Sequence, residues 1–320
     1  MGRILTCSDQ AIKSAARSLK EGNLVAFPTE TVYGLGADAT NKKAIARIYS
    51  AKGRPLNHPL IVHISSTSLL SKWAIRIPQY AASLANAFWP GPMTLILTRS
   101  KLAMDEITGD QTSVGIRIPS NPQALALLQE FERIGGLGIA APSANRFGAV
   151  SATEANEVEE ELGNFLDKKD LILDGGKSQI GIESTIIDCT ASAPLVLRPG
   201  AVSKSMINAL LKLTYGPIEN HSRTRASGMH TSHYSPKASV ALNSSVNPGD
   251  GFIAMAEFKT PDGAIRLSSP TSVSEFANSL YKALRLADQL GLRRVVAYTH
   301  EGNDLEEAIN DRLQKASYRD

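Results

Sequence analysis

Hydrophobic positions in the first two thirds of the chain form short runs that alternate with stretches of helical period. An amphipathic helix is predicted from Ser8 or Asp9 as N-cap to Gly22. Apolar runs rich in β-branched residues predict strands at 24–27, 60–64, 93–98, 114–118, 137–141, 171–173, 184–189 and 195–197. Helices are predicted at 41–51, 80–88, 123–131, 153–162 and 204–213. This order is typical of an α/β protein, and we expect a twisted mixed sheet with helices outside it.

A change of composition divides the chain near residue 215. Residues 215–237 are rich in Gly, Pro, Ser, His and Arg, which is typical of a linker. Beyond it, strands are predicted at 239–242, 252–258 and 294–298, and helices at 275–290 and 306–315. We therefore expect a first domain at 1–214, a linker at 215–237 and a small Rossmann-like α/β domain at 238–320.

Composition excludes several protein classes. The chain has 320 residues, of which 42% are hydrophobic and 20% charged, so it can bury a full core. No stretch approaches the ~18 consecutive apolar residues of a membrane helix, and the N-terminus lacks the apolar segment of a secretory signal. Cys7 and Cys189 provide neither a disulfide framework nor a metal cluster. We expect a soluble protein that stays in the cytoplasm.

Charge is unevenly distributed although the net charge is only +3. From Ala39 to Met104 there are nine Lys or Arg residues and no Asp or Glu. A surface of this kind attracts phosphate groups, either of a nucleotide or of an RNA backbone. The other interpretation of this segment is a solvated face that lacks acidic residues by chance. The acidic residues concentrate in 154–161 and 167–174, where we expect a solvated helix face.

Three polar side chains lie in predicted strands. His63 shares a strand face with Ile61, and it is either a hydrogen-bonded core histidine or a functional one. Arg117 projects from the polar side of its strand, and Arg198 lies at a strand end. A guanidinium in such a place needs an anionic partner, which is either an internal carboxylate or a bound ligand.

Short polar turns supply further candidates. Ser143 and Asn145 follow a buried strand, where ligand sites of α/β sheets lie, although both are also ordinary turn residues. Residues 151–154 fit a helix capping box, and a helix N-terminus also suits a phosphate. Residues 34–39 imitate a dinucleotide fingerprint, but no acidic ribose partner follows, so we expect a turn that brings backbone close to a ligand. P-loop, nucleophile-elbow and metal-ligand spacings do not occur.

Several longer blocks occur together in the first two hundred residues. They are FPTETVYGLG from Phe27, KGRP from Lys52, PLIVHI from Pro59, WPGPMT from Trp89, RIP from Arg117, APSAN from Ala141 and LRPG from Leu197. In this order they resemble the threonylcarbamoyl-AMP synthase family, also called YrdC-like. The segment from Gly228 to Pro236 and the Asp311-Arg312-Leu313 helix resemble the longer, two-domain branch of that family.

The resemblance implies an enzyme that converts L-threonine, bicarbonate and ATP into threonylcarbamoyl-AMP and diphosphate. The product would feed a downstream transferase complex that modifies the adenosine beside the anticodon of certain tRNAs. Carbamate formation followed by attack on the α-phosphorus needs positioning and charge neutralisation more than a protein nucleophile. The role of the second domain stays open.

The resemblance also assigns residues. Lys52 and Arg54 would neutralise the triphosphate, with Mg²⁺ bridging phosphate oxygens and no metal ligand from protein side chains. Ser143 and Asn145 would complete the KxR and SxN pair of the family. The nucleotide site would further include His58, Ser113, Ser151, Arg198 and Tyr234, the last acting as a lid that excludes water. The threonine pocket would consist of Thr31, His63, Arg117, Ala141 and Ser184.

Two positions depart from the family pattern. Position 58 is His where the family more often has Asn, and Ser227 stands where Pro is commoner before Gly228.

Two other functions stay open. A non-catalytic module that binds double-stranded RNA or tRNA would use the acid-free basic segment, and weak RNA binding could also coexist with catalysis. A dehydrogenase would rest only on residues 34–39.

Overall fold

A computed structural model describes residues 3–212, 224–228 and 234–318. In these ranges the chain forms two α/β units, each with its own sheet. Most of the predicted linker lies outside them, so only its residues 224–228 and 234–237 are described. None of the helices in these ranges has the length and apolar character that crossing a bilayer requires.

The first unit is built on a mixed sheet that has ten strands in the described ranges. The strands are β1 (Ile4–Thr6), β2 (Val25–Phe27), β3 (Gly34–Asp38), β4 (Ile61–His63), β5 (Met93–Thr98), β6 (Ser113–Arg117), β7 (Ile139–Ala140), β8 (Leu171–Asp174), β9 (Thr185–Asp188) and β10 (Leu195–Arg198). Their order in the sheet is β1-β8-β2-β3-β7-β4-β6-β5-β9-β10. The expected mixed sheet is confirmed, because it contains parallel pairs such as β4 and β6 as well as antiparallel pairs such as β5 and β6.

Helices flank this sheet and bury their apolar faces against it. They are α1 (Asp9–Lys20), α2 (Lys42–Lys52), α3 (Leu70–Trp73), α4 (Gln79–Phe88), α5 (Asp105–Thr108), α6 (Pro122–Arg133), α7 (Ala155–Leu162) and α8 (Lys204–Leu211). Helix α2 is bounded by local signals: the Asn41 side chain accepts from the N–H groups of Lys43 and Ala44, and Gly53 ends the helix with φ of 63°. These boundaries place Lys52 in the last turn of α2 and Arg54 just beyond it.

The segment 34–39 is where the sequence-based expectation was wrong. Instead of a turn, Gly34–Asp38 forms strand β3, which is antiparallel to both β2 and β7. All five residues are buried, and a Cβ at Gly36 would lie 2.7 Å from Ile139 Cγ2. The glycines therefore allow close packing of neighbouring strands, and that need is not visible in a polar-flanked sequence pattern.

The second unit is a parallel sheet with two long helices. Its strands are β11 (Ser239–Leu242), β12 (Gly251–Ile253), β13 (Ile265–Ser268) and β14 (Arg294–Ala297), in the order β11-β14-β12-β13, and its helices are α9 (Val273–Gln289) and α10 (Leu305–Ser317). The predicted strand at 252–258 ends at Ile253, and β13 and β1 were not predicted. An α/β unit of this alternation is confirmed.

The helix start near residue 154 also differs from its prediction. The capping box does not begin at Ser151: Glu154 is the N-cap and Glu157 is its partner at the third helical position. The acidic face of α7 is only partly solvated. Arg285 of α9 lies 3.7 Å from the Glu157 carboxylate and 3.1 Å from that of Glu161, so this face helps to join the two units.

The basic segment is more nearly neutral in the fold than in the sequence. Acidic residues from outside it pair with Lys42 (Glu106, 2.9 Å), Arg47 (Asp170, 2.7 Å) and Arg99 (Asp105). Lys52 and Arg54 are buried, which leaves Lys43, Lys72, Arg76 and Lys101 on the exposed surface of this segment. Tertiary pairing thus offsets the depletion of acids along the chain.

The Asp170 carboxylate connects three parts of the first unit, and its removal should be costly. It accepts from the backbone N–H groups of Leu24 and Asp167, both at 2.7 Å, and pairs with Arg47 while fully buried. We expect Asp170→Ala to lower the free energy of unfolding by about 3 kcal/mol, because two donors and a guanidinium lose their acceptor. Urea unfolding followed by circular dichroism measures this change.

Asp167→Ala is the matched control, since it removes an exposed carboxylate from the same Arg47. Its effect should stay below about 1 kcal/mol, as for other exposed ion pairs. Equal losses in the two variants would show that burial of Asp170 is not what matters.

Candidate functional site

A cleft lies on one face of the central strands of the first sheet, and chain segments from several elements meet there. Its walls come from the β2–β3 connection, from strands β4 and β6, from the turn after β7, from both ends of the β9–β10 hairpin, and from the described linker residues. Nine of the predicted site residues line it: Thr31, Arg54, His63, Arg117, Ala141, Ser143, Ser184, Arg198 and Tyr234.

Arg117 and His63 are cross-strand neighbours in the floor of this cleft, because β4 and β6 pair in parallel with His63 opposite Arg117. The Arg117 Nη2 donates to Glu30 Oε1 at 2.6 Å, and both side chains are almost fully buried. An internal carboxylate is therefore one partner of this guanidinium. Its Nε is also buried and has no hydrogen-bond acceptor among the described residues, so it retains capacity for a second anion.

His63 is only 4% exposed and packs edge-on against Phe27, with ring centroids 5.8 Å apart. Burial and then the positive charge of Arg117 lower the pKa of the His63 imidazole to about 3. The ring is consequently neutral at physiological pH. Its Nδ1 has no hydrogen-bond partner within the described residues, which leaves one ring nitrogen available to a ligand.

Lys52 and Arg54 leave α2 in different directions. The Lys52 ammonium donates to the carbonyl oxygens of Ser143 (2.7 Å) and Asn145, and the residue is 2% exposed. It does not line the cleft; it supports the turn that carries Ser143. Burial first, and then the charge of Arg54, lower the pKa of Lys52 well below its ordinary value.

Arg54, by contrast, contributes its side chain to the cleft wall. Its Nη2 donates to the Pro59 carbonyl at 2.9 Å and to the Ser227 hydroxyl at 3.1 Å. Burial lowers the pKa of this guanidinium to about 10, so it stays charged at neutral pH. Among the described residues its hydrogen-bond acceptors are all neutral, so its charge is not cancelled by a carboxylate there.

Arg198 and Ser184 form the opposite wall. The Arg198 Nε donates to the Ser184 carbonyl at 3.0 Å, its Nη2 to the Ser184 hydroxyl at 3.2 Å, and its Nη1 to the Ser227 carbonyl at 3.0 Å. The Ser184 hydroxyl is also 2.8 Å from that of Thr94. Burial lowers the pKa of Arg198 from its ordinary value. Hydrogen bonds to Ser227 tie the described part of the linker to Arg54 and Arg198.

Four predicted residues lie behind the cleft and one beside it. Besides Lys52, these are Asn145, whose Nδ2 donates to backbone carbonyls, His58, which stacks edge-on with Phe147, and Ser151, which donates to Glu183. Ser113 lines a smaller neighbouring cavity. That cavity shares Ile61 and Ser227 with the cleft, so the two adjoin each other at these residues.

Two carboxylates at the cleft and a contribution from the second unit were not predicted from the sequence. Glu30 and Glu183 both line or support the cleft, and Glu183 receives hydrogen bonds from Tyr281 of α9 and Arg312 of α10. The buried residues of α10 are Ala308, Ile309, Arg312, Leu313 and Ala316. An arginine within an apolar stripe of helical spacing is the signal that could have indicated the burial of Arg312.

Tyr234 closes the cleft on the side of the second unit. It is 1% exposed, and its ring stacks on Tyr281 with centroids 5.6 Å apart. Burial and the nearby Glu183 raise the pKa of the Tyr234 hydroxyl to about 12, so the phenol is neutral. The close approach of Gly228 depends on its lack of a side chain, because a Cβ there would lie 2.4 Å from the Tyr234 oxygen.

Comparisons with known proteins cover almost the whole chain. Residues 17–200 match a family model described as telomere recombination, whose name combines Sua5, YciO and YrdC. Residues 202–317 match the model of the threonylcarbamoyl-AMP synthase C-terminal domain. The threonylcarbamoyl-AMP synthase of Pyrococcus abyssi is 39% identical over 96% of this chain and 94% of its own length. That of Bacillus subtilis is 36% identical over 98% of this chain and 94% of its own length.

Solved structures give the same correspondence in three dimensions. The crystal structure of P. abyssi Sua5 complexed with L-threonine superposes with a TM-score of 0.87 at 36% identity. The alignment covers 98% of this chain and 97% of that one, so both α/β units are included.

The state of His63 provides a test of the site electrostatics. Because its pKa is far below the 6.5 of an ordinary histidine, we expect its ring resonances to stay unchanged from pH 8 down to pH 5 in the folded protein. Below about pH 6.5 the unfolded chain binds a proton that the folded chain does not, so stability decreases as the pH falls towards 3. NMR titration of the histidine rings measures this, with His63→Gln identifying the resonance. A midpoint near pH 6.5 would contradict the described burial.

Proposed function

The chain belongs to the threonylcarbamoyl-AMP synthase family, and on that premise we propose that its cleft joins L-threonine, bicarbonate and ATP into threonylcarbamoyl-AMP and diphosphate. One observation carries the proposal. Within the described residues, the guanidinium groups of Arg54, Arg117 and Arg198 converge on a single buried cleft. The carboxylates there, Glu30 and Glu183, are already paired with arginines, so the charge of the remaining groups favours anionic ligands.

We place the threonine beside Arg117. The free Nε of Arg117 and the Ser184 hydroxyl suit the amino-acid carboxylate, while Thr31, the neutral His63 and Ala141 would surround the rest of the molecule. The P. abyssi Sua5 structure complexed with L-threonine supports an amino-acid site in this fold.

We place the nucleotide between Arg54 and Arg198 and along the neighbouring cavity. Arg54 would neutralise the phosphates together with Ser143 and Arg198, and Ser113 lies in the direction of the neighbouring cavity. Lys52 and Asn145 would act from behind by holding the Ser143 turn, as Ser151 would by holding Glu183. His58 would belong to this side through its carbonyl, which accepts from Arg54 at 3.3 Å.

Mg²⁺ would enter as part of the MgATP substrate. Phosphate oxygens and water would coordinate this cation, which is the usual mode for Mg²⁺ with nucleotides.

The reaction requires the protein to position the substrates and to stabilise negative charge. The threonine amine attacks the carbon of bicarbonate-derived carbon dioxide and loses a proton, giving a carbamate. A carbamate oxygen then attacks the α-phosphorus, and the bond from that phosphorus to the bridging oxygen breaks, so diphosphate leaves. The cleft arginines would stabilise the charge that develops on the phosphate oxygens. Tyr234, which lines the cleft and is buried, would act as a lid that excludes water from the hydrolysable product.

The cellular setting follows from this reaction. We propose that the protein works in the cytoplasm. It would consist of a catalytic domain of residues 1–214, a linker of residues 215–237 over the active site and a second domain of residues 238–320. Its product would pass to a downstream transferase complex that modifies tRNA.

Direct binding of tRNA or double-stranded RNA is the second candidate function. The exposed side chains of Lys43, Lys72, Arg76 and Lys101 would contact the RNA phosphates.

Pyrophosphate release tests the proposed reaction. With MgATP, L-threonine and bicarbonate together, we expect release that drops to background when threonine or bicarbonate is omitted, and that serine supports poorly. Mass spectrometry should find the threonylcarbamoyl adenylate. ATP binding without release under any combination, together with salt-dependent tRNA binding, would favour the RNA-binding function instead.

Two variants assign the activity to the cleft. Arg54→Ala should lower kcat/KM for ATP at least about tenfold, because a buried guanidinium facing the phosphates is lost. Lys101→Ala removes an exposed lysine outside the cleft lining and should leave the rate unchanged. Similar losses in both variants would contradict the placement of the phosphates at Arg54.

A further inference from the structure

Glu183 puts a carboxylate into the wall of a cleft that is otherwise arranged for anions. It lies just before β9 and is 6% exposed. Three side chains donate to it: the Ser151 hydroxyl at 2.6 Å, the Tyr281 hydroxyl at 2.7 Å and the Arg312 Nε at 2.9 Å. Ser151 and Tyr281 are neutral, so Arg312 is the donor that carries compensating charge.

Arg312 comes from the other α/β unit and is fully buried. It lies on α10, and its Nη2 donates to the Pro199 carbonyl at 3.0 Å as well as to the Glu183 carbonyl at 3.4 Å. Its guanidinium also lies 5.3 Å from the centroid of the Tyr234 ring. A single side chain of the second unit thus contacts a carboxylate and an aromatic ring that both line the cleft.

The balance of charge at this wall depends on Arg312. Burial alone would raise the pKa of Glu183, but Arg312 and then Arg198 lower it to about 2, so the carboxylate is ionised at neutral pH. An ionised group in a poorly solvated wall repels another anion over several ångströms. If Arg312 were absent, Glu183 would draw on Arg198 for compensation, and Arg198 is one of the groups available to bound phosphates.

We propose that Arg312 is a positioning residue through which the second unit neutralises Glu183 and keeps the cleft receptive to the polyphosphate of ATP. The inference rests on the proposed function and gives the second domain a part in nucleotide binding. Arg312 itself need not touch the nucleotide, because it acts through Glu183 and the Tyr234 ring.

Calorimetric binding of ATP and of adenosine to the full chain tests this role. Arg312→Met should weaken ATP binding at least about tenfold, because it uncovers a negative charge beside the phosphates. Adenosine carries no phosphate, and its affinity should change less than about twofold. A disruption of the cleft by misfolding would weaken both ligands. Equal loss for ATP and adenosine, or unchanged ATP binding, would overturn the proposal.

Variants of opposite sign make the test independent of how well Arg312→Met folds. Glu183→Gln keeps a side chain able to bond with Ser151 and Tyr281 but removes the negative charge, so ATP should bind at least as tightly as to the unmodified protein. Combined with Arg312→Met, it should restore most of the lost ATP affinity. Weaker ATP binding by Glu183→Gln, or no recovery in the double variant, would contradict charge neutralisation.

Lys282→Met is the matched control, since Lys282 also belongs to the second unit but pairs with Glu154 of the first at 3.2 Å, away from Glu183 and Asp311, the two carboxylates that Arg312 contacts. It changes the net charge equally, and its ATP affinity should stay within about twofold of that of the unmodified protein.

Pyrophosphate release distinguishes a failure of the proposed function from a failure of the inference about Arg312. An unmodified protein that neither binds ATP nor releases diphosphate overturns the proposed function and this inference with it. An active protein whose Arg312→Met variant binds ATP normally overturns the inference alone.

Discussion

The ion pair between Glu183 and Arg312 joins the two α/β units at the wall of the cleft, 2.9 Å apart and almost entirely removed from water. Burying two charges is costly unless they meet with good geometry and their remaining polar atoms are satisfied. Here Ser151, Tyr281 and the Pro199 carbonyl supply those further hydrogen bonds. The relative placement of β9, α9 and α10 is thereby restricted to arrangements that keep this network complete.

The same principle operates in the cleft floor, where Glu30 occupies one edge of Arg117 and leaves its Nε free. An internal carboxylate fixes the direction of the guanidinium and leaves one donor unused. Arg54 and Arg198 are held instead by carbonyl and hydroxyl oxygens, which orient them without cancelling their charge. A neutral His63 adds a polar atom without adding repulsion towards the arginines. Binding groups of this kind are positioned before the ligand arrives.

Local signals in the sequence were sufficient for much of the fold. The Asn41 cap and Gly53 define α2, and the apolar run at Met93–Thr98 is a strand with those bounds. Strand β3 was missed because Gly36 permits close contact with Ile139, which lies 103 residues further along the chain. Lys52 could be recognised as a member of the family motif, yet its orientation towards backbone carbonyls depends on the fold of the Ser143 turn. The contact of Arg312 with Glu183 depends on how the two units pack together. The pattern of apolar positions within α10 indicates that Arg312 is buried, but it does not identify the partner.

A crystal structure of this protein with bound L-threonine tests whether Glu30 leaves Arg117 Nε for a ligand and whether Arg312, by pairing with Glu183, leaves Arg54 and Arg198 for anions. We expect a threonine carboxylate about 3 Å from Arg117 Nε, with the Arg117–Glu30 and Arg312–Glu183 pairs both retained. A threonine that binds outside this cleft would contradict this arrangement. So would a Glu183 carboxylate that leaves Arg312 to bind the threonine ammonium group.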